Sequence, residues 1–247
     1  MEELIKSYND AIARWKYGCK ETEESMVRIQ QIIDRKFWLC SQNPTNGIIL
    51  VGSNPSYDES KRRENKNEFC SLAECEDHGH SHYWNRWKEN LQFLMDTEKG
   101  KAGYVDLFPL KLTDQTEFEK IPLELRAELL RVTQYEIEKL HPQLIIHANK
   151  KSKYYYGTIP ETPWMGYELE RIDIPSVLKE KYGEAYVIKG LIDTDKRINY
   201  HDVKKTVLSG TYLFICPYQN ARFLNNKPEK KLHQEDIKLL CDYFNIK

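Results

Sequence analysis

The turn Gly52-Ser53-Asn54-Pro55-Ser56 follows directly on the apolar run Ile48-Ile49-Leu50-Val51. A short buried strand that stops in a polar, Gly- and Pro-containing turn is how α/β sheets present side chains to ligands, and it is equally how a strand simply leaves a sheet. A second candidate is Cys70-x4-Cys75-x2-His78-x-His80-x-His82. Zinc takes four N or S ligands in a tetrahedron, but this spacing matches no standard knuckle, and alternate histidines share a face only in extended chain. The reading preferred over zinc is a polar loop, in which His80 or His82 acts as an acid, a base or a phosphate contact. Asp106 closes the run Gly103-Tyr104-Val105-Asp106 and suits a ligand contact or a turn cap equally well. Cys216, before Pro217, has no evident base nearby in sequence and reads as a core thiol.

These residues need a scaffold. Apolar positions at helical spacing over residues 3 to 35 predict two N-terminal helices, broken near Gly18-Cys19 and covering a sheet. Buried strands are predicted at residues 47–52, 103–109, 143–148 and 212–216, with helices at 84–95, 122–140 and 234–244. The alternation predicts a three-layer α/β/α sandwich with a central, mostly parallel four-stranded sheet. Residues 1–247 read as one domain, with N-terminal helices within 1–40 and an insertion at about 154–200 containing irregular or hairpin strands. In a parallel sheet all carboxyl ends share one rim. That rim gathers Asn54, the basic run 61–66, Asp106, Thr113, the basic turn 149–153 and the turn 216–222. Converging Lys and Arg suit a phosphate-bearing partner, although each run alone also describes a solvated loop.

Composition narrows the classes. Lys and Arg number 37 against 38 Asp and Glu, so no global field attracts nucleic acid or membrane, and any such partner meets a local patch. Sixteen Tyr and five Trp favour surfaces that bind planar partners. No apolar run approaches the roughly 18 residues of a membrane span, and Met1-Glu2-Glu3 does not open a signal peptide. The expectation is a cytoplasmic protein whose six cysteines (Cys19, Cys40, Cys70, Cys75, Cys216 and Cys241) are reduced. Without a Gly-rich dinucleotide fingerprint or a P-loop, no cofactor is expected.

Two of the turns carry a resemblance. Gly52-Ser53-Asn54-Pro55-Ser56 resembles the first motif of the uracil-DNA glycosylase superfamily, in the branch of mismatch-specific uracil/thymine-DNA glycosylases. Cys216-Pro217-Tyr218-Gln219-Asn220-Ala221-Arg222 is similar to that branch's second motif. The resemblance spans residues 47 to 245, but about a dozen residues are diagnostic. Ser56 stands where the family has Gly, Cys216 where other branches have His, and Tyr218-Gln219-Asn220 where the branch has small serines.

The resemblance implies hydrolysis of an N-glycosidic bond, removing a damaged, mismatched or modified base from duplex or single-stranded DNA. It implies that Asn54 orients the attacking water, since a carboxamide holds water but cannot take its proton. Gly52, Ser53, Pro55, Ser56, Tyr57, Asp106 and Phe108 would form the base pocket, with Tyr57, Phe108 or Tyr104 stacking on the flipped base. Lys61, Arg62, Lys150 and Lys151 would hold phosphates. Pro217, Tyr218, Gln219, Asn220 and Arg222 would enter the groove, Arg222 as the wedge. The alternatives are a non-catalytic nucleotide or nucleic-acid binder of the same fold, and a zinc-stabilised interaction module built on residues 70–82.

Overall fold

Ile48, Ile49, Leu50 and Val51 are each at most 1 % exposed, because the strand they form is covered on both faces. In this computed structural model, which describes residues 1–41, 47–57, 65–75, 83–95, 101–219 and 221–246, that strand is the second of eight. The strands are β1 (Trp38–Ser41), β2 (Ile48–Gly52), β3 (Glu68–Ser71), β4 (Ala102–Asp106), β5 (Leu144–His147), β6 (Tyr167–Ile172), β7 (Glu184–Leu191) and β8 (Tyr212–Ile215). The helices are α1 (Glu2–Gly18), α2 (Glu23–Asp34), α3 (Tyr83–Met95), α4 (Gln115–Glu119), α5 (Leu123–Leu140), α6 (Ser176–Lys181), α7 (Ala221–Asn226) and α8 (Gln234–Tyr243).

The main sheet has the order β4-β2-β5-β8-β7-β6. Its first four strands are parallel, and they are the four core runs read from sequence. The sheet is nevertheless six-stranded, not four-stranded. The hairpin β6–β7 joins antiparallel along β8 and turns the irregular excursion at 154–200 into a continuation of the sheet. The hairpin strands expected in this stretch are present, but their place in the main sheet is not legible from sequence, because β6 carries Glu168, Glu170 and Arg171 exposed and lacks the apolar run of a central strand.

Successive residues of a strand face opposite ways, and the burial follows that rule. Ile49, Val51, Val105, Ile145, Leu213 and Ile215 pack with side chains of α1, α2 and α5. Ile48, Leu50, Tyr104, Leu144, Ile146 and Phe214 pack with those of α3, α6 and α8. Helices therefore cover both faces, and fully burying each such aliphatic side chain contributes about 1.5–3 kcal/mol. The α5 helix ends where His141 takes a left-handed conformation ahead of Pro142, which delivers the chain into β5.

A further element was not read from sequence. The helical stretch at the N-terminus stops at Asp34, and β1 pairs in parallel with β3, four residues against four. Phe37 bridges to Leu110, and Trp38 N–H donates to the Pro109 carbonyl, so this small sheet sits beside the exit of β4.

Candidate functional site at the strand ends

Among the parallel strands the spatial order is second-first-third-fourth in chain order. The chain thus leaves β2 toward one side for β4 and later returns on the other side as β5. At such a switch point the outgoing connections diverge, and the crevice between them is where open α/β sheets bind ligands. The turn after β2 lies at this place.

Gly52 is required there by close approach. A Cβ on it would overlap the Tyr104 hydroxyl and Asp106 Oδ1, which face it from the neighbouring strand. Beyond Gly52 the chain keeps pairing with the exit of β4. Leu107 and Phe108 N–H donate to the Gly52 and Ser53 carbonyls, Leu112 N–H to that of Pro55, and Tyr57 N–H to that of Leu112. The turn is therefore held by backbone along its whole length. Ser53, Asn54, Pro55 and Tyr57 are half-buried, and Ser56 is exposed. Asn54 donates from Nδ2 to the Pro55 carbonyl at 3.2 Å, and its Oδ1 accepts no hydrogen bond among the described residues. Tyr57 lies under the Arg35 guanidinium, 4.3 Å from its ring centre.

Asp106 is the most perturbed acid of this rim. It is 6 % exposed, and Oδ1 accepts from the Tyr104 hydroxyl at 2.9 Å, whereas Oδ2 has no partner among the described residues. Burial pushes its carboxyl from 3.8 up to about 7. The Tyr104 bond works against that rise, and the charge of a Cys70 thiolate would add to it. Tyr104 is itself set by the Tyr83 hydroxyl at 3.2 Å and by the rings of Trp84 and Trp38, 4.7 and 5.9 Å away. Phe108 lies in the core at 1 % exposure, its ring against Phe118 and Tyr155, and Tyr104 is equally buried. Of the three aromatic residues considered for stacking, Tyr57 alone is open to solvent in part.

The next strand end supplies a residue that sequence reading passed over. Asn149, 7 % exposed, donates from Nδ2 to Ser53 Oγ at 2.9 Å and to the Tyr218 hydroxyl at 3.0 Å. Its Oδ1 accepts from Lys151 N–H, capping the 3-10 turn Lys150–Tyr156. One side chain thereby ties the ends of β2, β5 and β8 together. Asx chemistry right after a buried strand is the signal the sequence offers for this role, set among the basic residues of the same turn.

Lys150 and Lys151 are exposed, with the Lys150 ammonium lying against Gly183, while Lys153 pairs with Glu184 at 2.9 Å. Pro217 is buried. Gln219 is buried too and spent on the fold: Nε2 donates to the Pro217 and Lys230 carbonyls, Oε1 accepts from Leu232 N–H, and its carbonyl accepts from Arg86. Arg222 lies in the first turn of α7. Lys61, Arg62, Asn220, His78, His80 and His82 lie outside the described residues.

Cys216 is fully buried, and burial pushes its thiol up to about 12, so it stays protonated at neutral pH. His147, at the end of β5, is held neutral: burial pushes it down to about 3, with Nδ1 against the Tyr156 hydroxyl at 2.9 Å. Cys70 and Cys75 come together with Cys40, a residue that spacing along the chain does not group with them. Two hollows of about 380 Å³ open elsewhere, one over α3 and one between α3 and α8, and neither contains a residue of these turns. No helix among the described residues is long and apolar enough to cross a membrane. No family model and no curated protein matches the chain.

Proposed function

We propose that the chain hydrolyses an N-glycosidic bond, releasing a damaged, mismatched or modified base from DNA through the turn that carries Asn54. The observation that supports this most is the bond pattern of Asn149. It joins the Asn54-bearing turn to the Cys216–Gln219 turn across the switch point of the sheet, which makes the two motif-like turns one continuous rim. Asn54 Oδ1, free of other partners among the described residues, accepts from the attacking water and aims it at C1′. Asp106, one strand over, is acidic enough to be half ionised near neutral pH and takes the proton that a carboxamide cannot. Tyr57 offers the stacking face. Lys150 and Lys151, with Lys61 and Arg62, neutralise phosphates, and the loop from Pro217 to Arg222 enters the space left by the flipped nucleotide.

Base release from a panel of modified single- and double-stranded oligonucleotides tests the reading. Asn54→Ala should lower release by about 100-fold, the cost of a misplaced reactant, with circular dichroism unchanged. If the panel is inert while the protein binds the same DNA, the turn is a binding site and not a catalytic one. An inert panel with no DNA binding would refute both.

A further inference from the structure

A four-residue parallel pair is a weak element by itself, since even a two-stranded hairpin is only marginally stable in water. The β1–β3 sheet is such a pair, and the chain between its strands contains all of β2. Two features hold its side chains in an unusual way. Cys40 and Cys70 are register partners on the adjacent strands. After β3 the chain folds back at once: Glu74 and Cys75 N–H both donate to the Ser71 carbonyl, and Glu74 Oε2 accepts from Ser71 N–H and Oγ. The turn brings Cys75 onto the Cys40–Cys70 pair, and the three sulfurs all lie within 4.8 Å of one another.

Their surroundings suit a closed site. Cys40 and Cys75 are 3 and 2 % exposed, Cys70 is half-buried, and Leu72, Trp87 and Leu91 pack in the same apolar cluster. Three thiols drawn together under an apolar cover gain little from one another, because S–H is a weak donor and sulfur a weak acceptor. They gain much from a soft cation.

We propose that Cys40, Cys70 and Cys75 bind a single zinc ion through their three sulfurs, and that this ion clips β1 to β3. With zinc–sulfur bonds of about 2.3 Å and tetrahedral angles, ligating sulfurs lie about 3.8 Å apart, a separation the present spread reaches by small side-chain rotations. A 4Fe–4S cluster puts each cysteine on a different iron and so holds the sulfurs wider. A disulfide joins two sulfurs and leaves the third over. As each metal–sulfur bond forms, the thiol gives its proton to solvent, and no electron moves. The clip ties residues 30 positions apart in the chain, which removes loop entropy from the unfolded state. The sulfurs fill three of zinc's four tetrahedral positions and a fourth ligand, water in the simplest case, completes them; the site's existence does not depend on base release by the neighbouring rim.

Metal analysis of the full chain, purified without chelator and desalted, tests this. The expected result is stoichiometric zinc, lost in Cys40→Ser, Cys70→Ser and Cys75→Ser and kept in Cys19→Ser, whose thiol lies outside the cluster. Should the variants fail to fold, the wild-type chain serves. Chelation should lower its melting temperature, zinc should restore it, and cobalt in place of zinc should give an intense thiolate-to-metal charge-transfer band. A chain that stays zinc-free after loading overturns the proposal, as does stoichiometric iron with acid-labile sulfide, or a mass two hydrogens short that marks a disulfide between two of the three.

Discussion

Replacing Asp106 with Asn should make the protein more stable at alkaline pH while removing the proposed base release. In the folded chain the Asp106 carboxyl is raised from 3.8 to about 7, chiefly by burial. At about 1.4 kcal/mol for each tenfold change, holding that carboxylate ionised costs the fold about 4 kcal/mol above pH 7. The sign follows from proton counts. Between pH 4 and 7 the unfolded chain has released this proton and the folded chain has not, so wild-type stability falls as pH rises through that window. Below pH 4 both states are protonated and the effect vanishes.

Asparagine keeps the acceptor that Tyr104 uses and never ionises. Denaturant unfolding of both proteins at pH 5 and pH 8 isolates the effect, because every other titrating group is common to the two. The stability of the Asn variant relative to wild type should rise by about 2.5 kcal/mol from pH 5 to pH 8. A difference that does not change with pH would show that Asp106 is ionised in the fold at low pH, and the argument from burial would fail. Base release should be lost in the variant at both values, and in the wild type it should rise with pH through about 7.

The remaining predictions concern the scaffold of the same rim. Gly52→Ala should destabilise the chain by about 1–3 kcal/mol, because the added methyl must displace Tyr104 and Asp106; thermal melting measures it, and an unchanged melting temperature would refute the close approach. Asn149→Ala removes a cap and the bridge to Ser53 and Tyr218 at once. It should cost about 1–2 kcal/mol and lower base release more than it weakens DNA binding, which a titration with labelled DNA separates from turnover.

The rim shows why such a site sits at odds with stability. A carboxylate kept nearly dry between Tyr104 and the β2 turn weakens the fold, yet the same dryness brings its proton affinity into the neutral range where a base works. The aromatic wall of Tyr83, Trp84 and Trp38 maintains it. Trp38 belongs to β1, so the small sheet that carries Cys40 and Cys70 also packs on Tyr104, the hydrogen-bond partner of Asp106.

Local chemistry by itself determined the four central strands, the two N-terminal helices and their break, α3, α5 and α8, and the turns at which β2 and β8 end. Each is written in a short window: an unbroken apolar run, a 3.6-residue period, or a Gly, Pro or Asn where a strand must stop. Three things were decided only by tertiary structure. The hairpin at 167–191 extends the sheet because β8 leaves an edge to be covered, and half-buried strands with charged faces do not show which sheet they join. Asn149 becomes the tie between Ser53 and Tyr218 because strands distant in sequence are neighbours in space. Cys40 meets Cys70 and Cys75 through a pairing of four-residue strands, too short for any period to show, with a central strand lying between them in the chain. Spacing along the chain carries no record of such meetings, since the register of a sheet is a property of the assembled fold.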